Sequence, residues 1–459
     1  MKKIELLLIL LLFAVNLLAI DTVAVKTIGN GIVYYHLKTE EPNNIYILKA
    51  DLKDNNNVNL TIANERIGNK GATVNEMSRE LTKKAFVFAG VNADFFGGSP
   101  YQFENSMIIN GEFAKGVNIG RSLFAITSEK KLYIDTIKFS GYLEIGDKKI
   151  KINTLNHSEG DVKLFNRFYN LETKIRDKEV AVLLKPAESL KLNKPTKFII
   201  KSVFDKQTPK FLFSDRCLAI LPKEVIEKEP LKLNDTIKVF LGTNPSIENV
   251  KQMIGGLPKI LVQGETIKEF AGREGIDNKG FFSKNPRTAI GFDQEQQTLY
   301  IVAVDGRDSK NSVGLTLPEL SLYMKGLGCY EALNFDGGGS TTMVLRDSTV
   351  NKPTDFTGER AVNNALFLCS DVINPELFSS IKVYCDKNTL RLNENVELKI
   401  EVIDILGFKS NLNSELLNFE YDKEFCIIAE NKIKVIKEGA ILIKWSFGKF
   451  NGELNLTIE

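Results

Sequence analysis

The chain has 459 residues, 43% apolar and 26% charged, a globular composition long enough for two or three domains. Its 60 basic and 58 acidic residues leave a formal charge of +2, so the balance gives no reason to expect a nucleic-acid partner. Five cysteines (Cys217, Cys329, Cys369, Cys385, Cys426) are scattered and odd in number, which excludes a CxxC metal pattern and a dense disulfide framework.

Met1–Ala19 stands apart from the rest. Lys2 and Lys3 precede an apolar run, Leu6–Leu18, and Ala19 is a small residue at which cleavage could fall. That pattern predicts a secretory signal peptide, with an uncleaved N-terminal anchor as the other reading. A mature chain beginning near Ile20 and located outside the cytoplasm (secreted, periplasmic or at the cell surface) is the expectation.

Strands are then predicted at Ile32–Lys38, Asn44–Leu52 and Val58–Ala63, separated by Asp/Asn-rich turns. Thr73-x-x-Glu76 is a capping box that opens a helix running to about Lys84. The next strand, Ala85–Val91, ends in Asn92, Ala93 and Asp94. Asn92 and Asp94 are two apart and face the same way on a strand; a plain Asx turn is the alternative. Between Arg121 and Lys259 short alternating strands carry little recognisable chemistry. The two histidines, His36 and His157, have no Cys or carboxylate partner at ligand spacing, so a Ser–His–Asp triad or a histidine metal site is a poor reading.

Chemistry thickens from Asn285. A strand is entered through Arg287 and Thr288, and Leu299–Val304 is an apolar strand ending in Asp305-Gly306-Arg307. Thr316-x-x-Glu319 is a second capping box, for a helix ending near Gly326 or Gly328. Glu331–Leu345 reads as strand, glycine turn, strand. Gly337, Gly338 and Gly339 leave the backbone bare, Ser340 and Thr341 add hydroxyls, and Asp336 adds a carboxylate. A hairpin with spare glycines is the structural alternative. A Walker loop is excluded by the missing GK[ST] ending and the β-prone residues that follow.

Three apolar strands thus end in an acid at Asp94, Asp305 and Asp336, two of them followed at once by glycine. With Arg287, Arg307 and Arg360 they suggest one site of acids and arginines. Arginine binds phosphate through its planar fork, and carboxylates among arginines are expected to stay ionised. A phosphate leaving group departs as an anion, so arginines can replace the acid of an ordinary glycosidase. The competing chemistry is a metal-dependent phosphatase, with Asp94, Asp305 and Asp336 around a divalent cation.

The words NADFFGG, NPRTAIGF, VDGRDSKNSVGLTLPEL, NFDGGGSTTMV and GERAVNNALFL, in this order over about residues 70–370, resemble the phosphodiester glycosidase family. The resemblance implies hydrolysis of a sugar-1-phosphodiester, releasing the sugar and leaving a phosphomonoester, and a setting on cell-surface or exopolysaccharide glycans. By position it implies candidate catalytic residues Asp336, Asp305, Asp94, Arg287 and Arg307. Asn92, Thr288, Gly337, Gly338, Gly339, Ser340 and Thr341 would bind substrate, with Arg360 and Asn363 at the rim. Which carboxylate does which job, and which sugar is taken, stay open; a cofactor is not implied with certainty.

Asp371–Ser380 reads as a linker, and Ile381–Glu459 as alternating strands of a small β-sandwich with an Ig-like look. This module would contact a wall, matrix or glycan, or act as a spacer. Because every motif precedes it, hydrolysis is expected to survive its removal. The predicted fold class is α+β: a strand-rich, mixed-sheet catalytic domain over residues 20–370 with a few short helices, then the β-module.

Overall fold

A computed structural model describes residues 20–29, 31–53, 58–63, 70–97, 102–171, 173–205, 215–228, 230–267, 269–270, 272–276 and 281–459. The leader expected at Met1–Ala19 lies outside them, as does Gly98 of the first motif. The strand-rich α+β expectation holds.

Two antiparallel sheets carry the site. The larger has eight strands in the order Ile20–Gly29, Ile32–Thr39, Asn43–Asp51, Thr298–Val304, Arg287–Phe292, Glu331–Asn334, Lys259–Val262 and Glu265–Thr266. Thr298–Val304 is central and covered on both faces, which is why its sequence is a continuous apolar run instead of an alternating one. The smaller sheet has five, in the order Ser348–Thr349, Met343–Leu345, Phe86–Asn92, Ala365–Ser370 and Asn59–Ala63. A shared core of Phe88, Val91, Ile290, Ile301, Phe335, Met343, Leu366 and Leu368 joins the two.

Both capping boxes form as their spacing predicts. Thr73 and Glu76 cap Val74–Thr82, and Thr316 and Glu319 cap Leu317–Gly326. The second helix lays Leu317, Leu320 and Met324 on Ala289, Val302 and Val304, covering one face of the larger sheet behind the site. Gly326 lies inside that helix, and Leu327 caps it.

The segment between the motifs forms a five-stranded sheet and a second eight-stranded sheet with its own core around Phe139, Leu143, Phe198 and Leu241. Among the described residues parallel pairing is confined to two short contacts, Thr154–Leu155 with Lys163–Phe165 and Thr389–Leu390 with part of Phe450–Ile458.

The glycine stretch is not a hairpin. Glu331–Asn334 belongs to the larger sheet and Met343–Leu345 to the smaller one, so the intervening residues cross between sheets, with Gly338–Ser340 forming a single 3-10 turn. The five cysteines are buried and unbridged.

Beyond Ser370 the strands pair into three small sheets of three, four and three strands where two facing sheets were expected. The predicted linker is partly structured: Pro375–Leu377 form a 3-10 turn and Phe378 begins a strand. Phe378 is buried edge-on against Phe86, with ring centroids 5.5 Å apart, so the boundary is packed and not a free tether.

Candidate active site

Asn92 is the joint that holds the site together. It ends the Phe86–Asn92 strand, fully buried, and each side-chain atom is used. Its Nδ2 donates to the Asp336 carbonyl at 2.6 Å; its Oδ1 accepts from Thr288 Oγ1 at 2.9 Å and from the Thr342 N–H at 3.0 Å. One amide thereby ties the smaller sheet to the Arg287–Phe292 strand and to both flanks of the glycine turn. Asn92 and Thr288 are therefore framework for the site, set behind its surface.

Asp336 and Asp94 are brought together two residues beyond that joint, because the Asp336 N–H donates to the Ala93 carbonyl at 2.8 Å. Asp94 is buried. It accepts from Asn105 Nδ2 at 2.6 Å and from the Asn105 N–H at 3.1 Å, while its own N–H donates to Asn364 Oδ1 at 2.9 Å. Burial raises its carboxyl to about 7, against the pull of Asn105 and Lys115; Glu104 raises it a little further. Asp336 is half-buried as a residue, but burial of its carboxyl is the largest cause that raises it to about 6. Ser340, Arg360 and the Gly337 N–H pull the other way, and Glu104 adds a small rise. Arginines nearby were expected to keep these acids fully ionised. Loss of water outweighs them.

Bare glycine faces are where the arginines sit. Gly338 has φ +60°, a conformation that favours glycine, and a Cβ there would stand 2.8 Å from Arg307 Nη2. A Cβ on Gly339 would collide with the Arg360 guanidinium. Gly337 closes on the Pro286 carbonyl instead, 2.8 Å from where its Cβ would be. So the three glycines admit two guanidinium groups and one carbonyl. Arg307 is exposed, with Nε donating to Asn285 Oδ1 at 3.2 Å. Arg360 donates through Nε to Asp355 Oδ2 at 2.6 Å and through Nη1 to Ser340 Oγ at 3.3 Å.

Arg287 and Asp305 take other roles. Arg287 is buried, and its guanidinium donates to the carbonyls of Leu315, Phe281 and Ser283 at 2.7–2.8 Å, fixing the loop that enters its strand. Burial lowers it to about 10. Asp305 accepts from Tyr46 OH at 3.0 Å, Asn351 Nδ2 at 3.1 Å and the Lys352 N–H at 2.9 Å. Burial raises its carboxyl, with those three bonds opposing, and it helps hold the Tyr46 and Tyr34 phenols above their ordinary range, where burial is the larger cause. Asn351 in turn donates to the Thr341 carbonyl at 3.0 Å and accepts from the Met343 N–H at 2.7 Å. Asp305 thus braces the far side of the glycine turn, a positioning role. His36 belongs to the same brace, stacked on Tyr46 with centroids 4.5 Å apart.

The three aspartates do not meet around one point. Among the described residues no group of three or more His, Cys, Asp or Glu side chains could hold a metal ion, which removes the donor set on which the phosphatase reading rested. Thr341 Oγ1 and Asn364 Nδ2 are buried without a hydrogen-bond partner among the described residues, beside Asp336 and Asp94 respectively. Asn363 is buried next to Asn364, within the core and not at a rim.

Sequence reasoning missed Glu104, Asn105 and Lys115. Glu104 raises both Asp94 and Asp336, and Arg121 pairs with it. Lys115 is buried, and burial lowers its ammonium to about 8 against the attraction of Asp94 and Glu104. One signal was available: in Glu112–Lys115 the alternation puts Lys115 on the same face as apolar Phe113.

Two acids with raised affinity for protons thus lie beside two arginines at the glycine turn. Residues 213–369, about a third of the chain, match the family model described as phosphodiester glycosidase. Asn92 and Asp94 lie before the matched segment and are joined to it by the fold. The N-acetylglucosamine-1-phosphodiester alpha-N-acetylglucosaminidase of Mus musculus is 37% identical over 81 residues, 17% of this chain and 15% of that protein. The match therefore spans only a small part of that relative's length. A hypothetical protein from Synechocystis shares the fold with a TM-score of 0.61 at 18% identity, over 76% of this chain and 64% of that one. A protein from Burkholderia pseudomallei K96243, described as exported, shares it with a TM-score of 0.55 at 19% identity, over 72% and 74%.

Proposed function

We propose that the protein hydrolyses the glycosidic bond of a sugar-1-phosphodiester. The observation that carries this reading is the Asp94–Asp336 pair, joined through Ala93 and faced by the guanidinium groups of Arg307 and Arg360 over the glycine turn. Near neutral pH such a pair holds one carboxyl protonated and one ionised, the combination a glycosidase uses. Arg307 and Arg360 bind the phosphate oxygens and offset the charge that develops as the anomeric C–O bond breaks. The phosphomonoester leaves as an anion carrying the bond's electron pair. A water oxygen bonds to the anomeric carbon, and its proton passes to the ionised carboxylate. The name of the mouse relative, a phosphodiester glycosidase acting on N-acetylglucosamine, supports the reaction class.

Purified protein incubated with a panel of sugar-1-phosphodiesters, with and without chelator, tests the reading. Release of reducing sugar without inorganic phosphate, unchanged by chelator, is the expected result. Inorganic phosphate as product, or saturable binding without any product, overturns it. The leader-like Met1–Ala19 supports export and an extracellular glycan substrate. Intact-mass analysis of protein from the native host checks this, and a mature chain that keeps Met1 in the soluble cytosol rules it out.

A further inference from the structure

The strand Lys138–Ile145 turns one row of side chains inward and another outward. Phe139, Gly141, Leu143 and Ile145 are buried; Lys138, Ser140, Tyr142 and Glu144 point the other way. Its neighbours continue that outer face. Lys151 lies opposite Tyr142 and Lys149 opposite Glu144 on one side; Asn244 lies opposite Lys138, Gly242 opposite Ser140 and Phe240 opposite Tyr142 on the other. Ser140 puts only a hydroxymethyl in the middle of the face, while Asn193 Oδ1 and the Phe240 ring fill the space beside Gly242. Tyr142 and Phe240 stack beside it, with centroids 4.8 Å apart and planes at 6°. The result is a groove of about 440 Å³ whose lining includes Lys138, Lys149, Lys151, Asn118 and Asn244, and no carboxylate. Glu144, across from Lys149, is engaged by Lys238 at 2.5 Å.

Asn118 links this groove to the candidate active site. It lies in the short exposed segment Asn118–Gly120 that leads to Arg121, the partner of Glu104. Glu104 acts on Asp94 and Asp336. Three residues of chain span at most about 10 Å, so the groove lies no farther than that along the chain from Arg121, the partner of Glu104. Three ammonium groups and two carboxamides without an acid among them suit an oxyanion-bearing chain, and the Tyr142 ring lines it too.

We infer that this groove is a subsite for the phosphate groups of a polyanionic glycan, holding repeats distant from the bond that is cut. The inference rests on the hydrolase reading above and extends it from a single sugar phosphodiester to a polymer. The test uses the full-length chain carrying Lys138→Gln, Lys149→Gln and Lys151→Gln together, exposed positions whose loss leaves the fold's cores untouched. Two probes are compared: one sugar-1-phosphodiester, and a synthetic oligomer of six such sugars joined by phosphodiesters. The variant is expected to match wild type on the single unit. On the oligomer its KM rises about tenfold with kcat unchanged, and the salt dependence of the wild-type oligomer KM largely disappears. Equal kinetics on the oligomer, or equal losses on both probes, overturns the subsite. Should wild type cleave neither probe, the hydrolase reading fails by itself, and equilibrium binding of the oligomer then decides the groove. Binding about tenfold weaker in the variant supports it, and unchanged binding overturns it.

Discussion

Arg346 donates through Nε to the Asp404 carboxylate at 2.8 Å, and both side chains are almost fully buried, at 4% and 2% exposure. The pair joins the strand that follows the glycine turn to the C-terminal module. Arg346 also donates to the carbonyls of Ile28, Val87 and Phe88 and lies over the Phe86 ring at 4.4 Å. Asp404 in turn accepts from the Leu406 and Phe408 N–H groups. The module therefore supplies the counter-charge for an arginine buried beneath the sheet that carries Asn92.

Breaking such a pair from one side leaves a buried charge without compensation, a loss of about 3–5 kcal/mol. Asp404→Ala is expected to fall in that range by denaturant unfolding. A chain ending at Ser380 should be poorly folded for the same reason, and also because Phe378 and Phe86 lose the module's Phe447 beside them. The polar composition of Asp371–Ser380 suggested a dispensable module. A truncated chain with wild-type melting temperature and turnover would restore that view.

The raised carboxyl of Asp94 sets a pH dependence whose direction is fixed. In the fold Asp94 keeps its proton up to about pH 7, whereas an unfolded aspartate loses it near pH 4. Between those values the unfolded chain binds fewer protons, so the stability tied to neutral Asp94 is full below about pH 4 and is lost as pH rises through 7. Asp94→Asn does not titrate there. Its melting temperature relative to wild type should climb from pH 4 to 7, by the equivalent of roughly 4 kcal/mol at most. Kinetics should mirror this: kcat/KM for wild type is expected to form a narrow bell with apparent limits near 6 and 7, and Asp94→Asn should lose the alkaline limb. A flat profile across pH 5–8 would remove Asp94 and Asp336 as the acid–base pair.

Arg360 tests the anion role separately from proton transfer. Gly339 leaves room for its guanidinium, which Asp355 and Ser340 then orient. Arg360→Lys keeps the charge but loses the fork, and should raise KM for a sugar-1-phosphodiester about tenfold with little change in melting temperature. Gly339→Ala should act in the same direction by pushing the guanidinium out of place. Unchanged KM in both variants would assign the phosphate to Arg307 alone.

Much of this arrangement was legible in the sequence, for definite reasons. Both capping boxes formed because the Thr and Glu three residues apart satisfy each other's amides wherever the helix sits. Asp94, Asp336 and the glycines stood out because three strand ends carry an acid and arginines recur beside them, a clustering that no single turn requires. What the sequence hid were matters of partnership. Arg287 and Arg307 look alike in a string of letters, yet one is buried on three carbonyls and the other lies open to solvent. Asp305 reads like Asp336 until Tyr46 and Asn351 arrive from distant segments. Glu104 and Asn105 belong to no motif; only the fold brings them to Asp94.

The glycine turn and its acid give opposite signatures when changed one at a time. Asp336→Asn keeps the shape of the turn, because Asp336's backbone bonds to Ala93 and Asn92 are unaffected. It removes the charge that would take a proton from water or stabilise positive charge at the anomeric carbon. A fall in kcat of roughly two orders of magnitude or more is expected, with a small change in melting temperature. Gly338→Ala leaves the acid in place but adds a methyl group at φ +60°, 2.8 Å from Arg307 Nη2. Strain of about 1 kcal/mol should appear in the melt, and the displaced arginine should show as a higher KM more than a lower kcat. Steady-state kinetics beside thermal melts on the same two proteins separates these outcomes. Near-wild-type kcat in Asp336→Asn would make the stretch a crossing between sheets and nothing more, and the chemistry would have to be sought at Asp94 and Glu104.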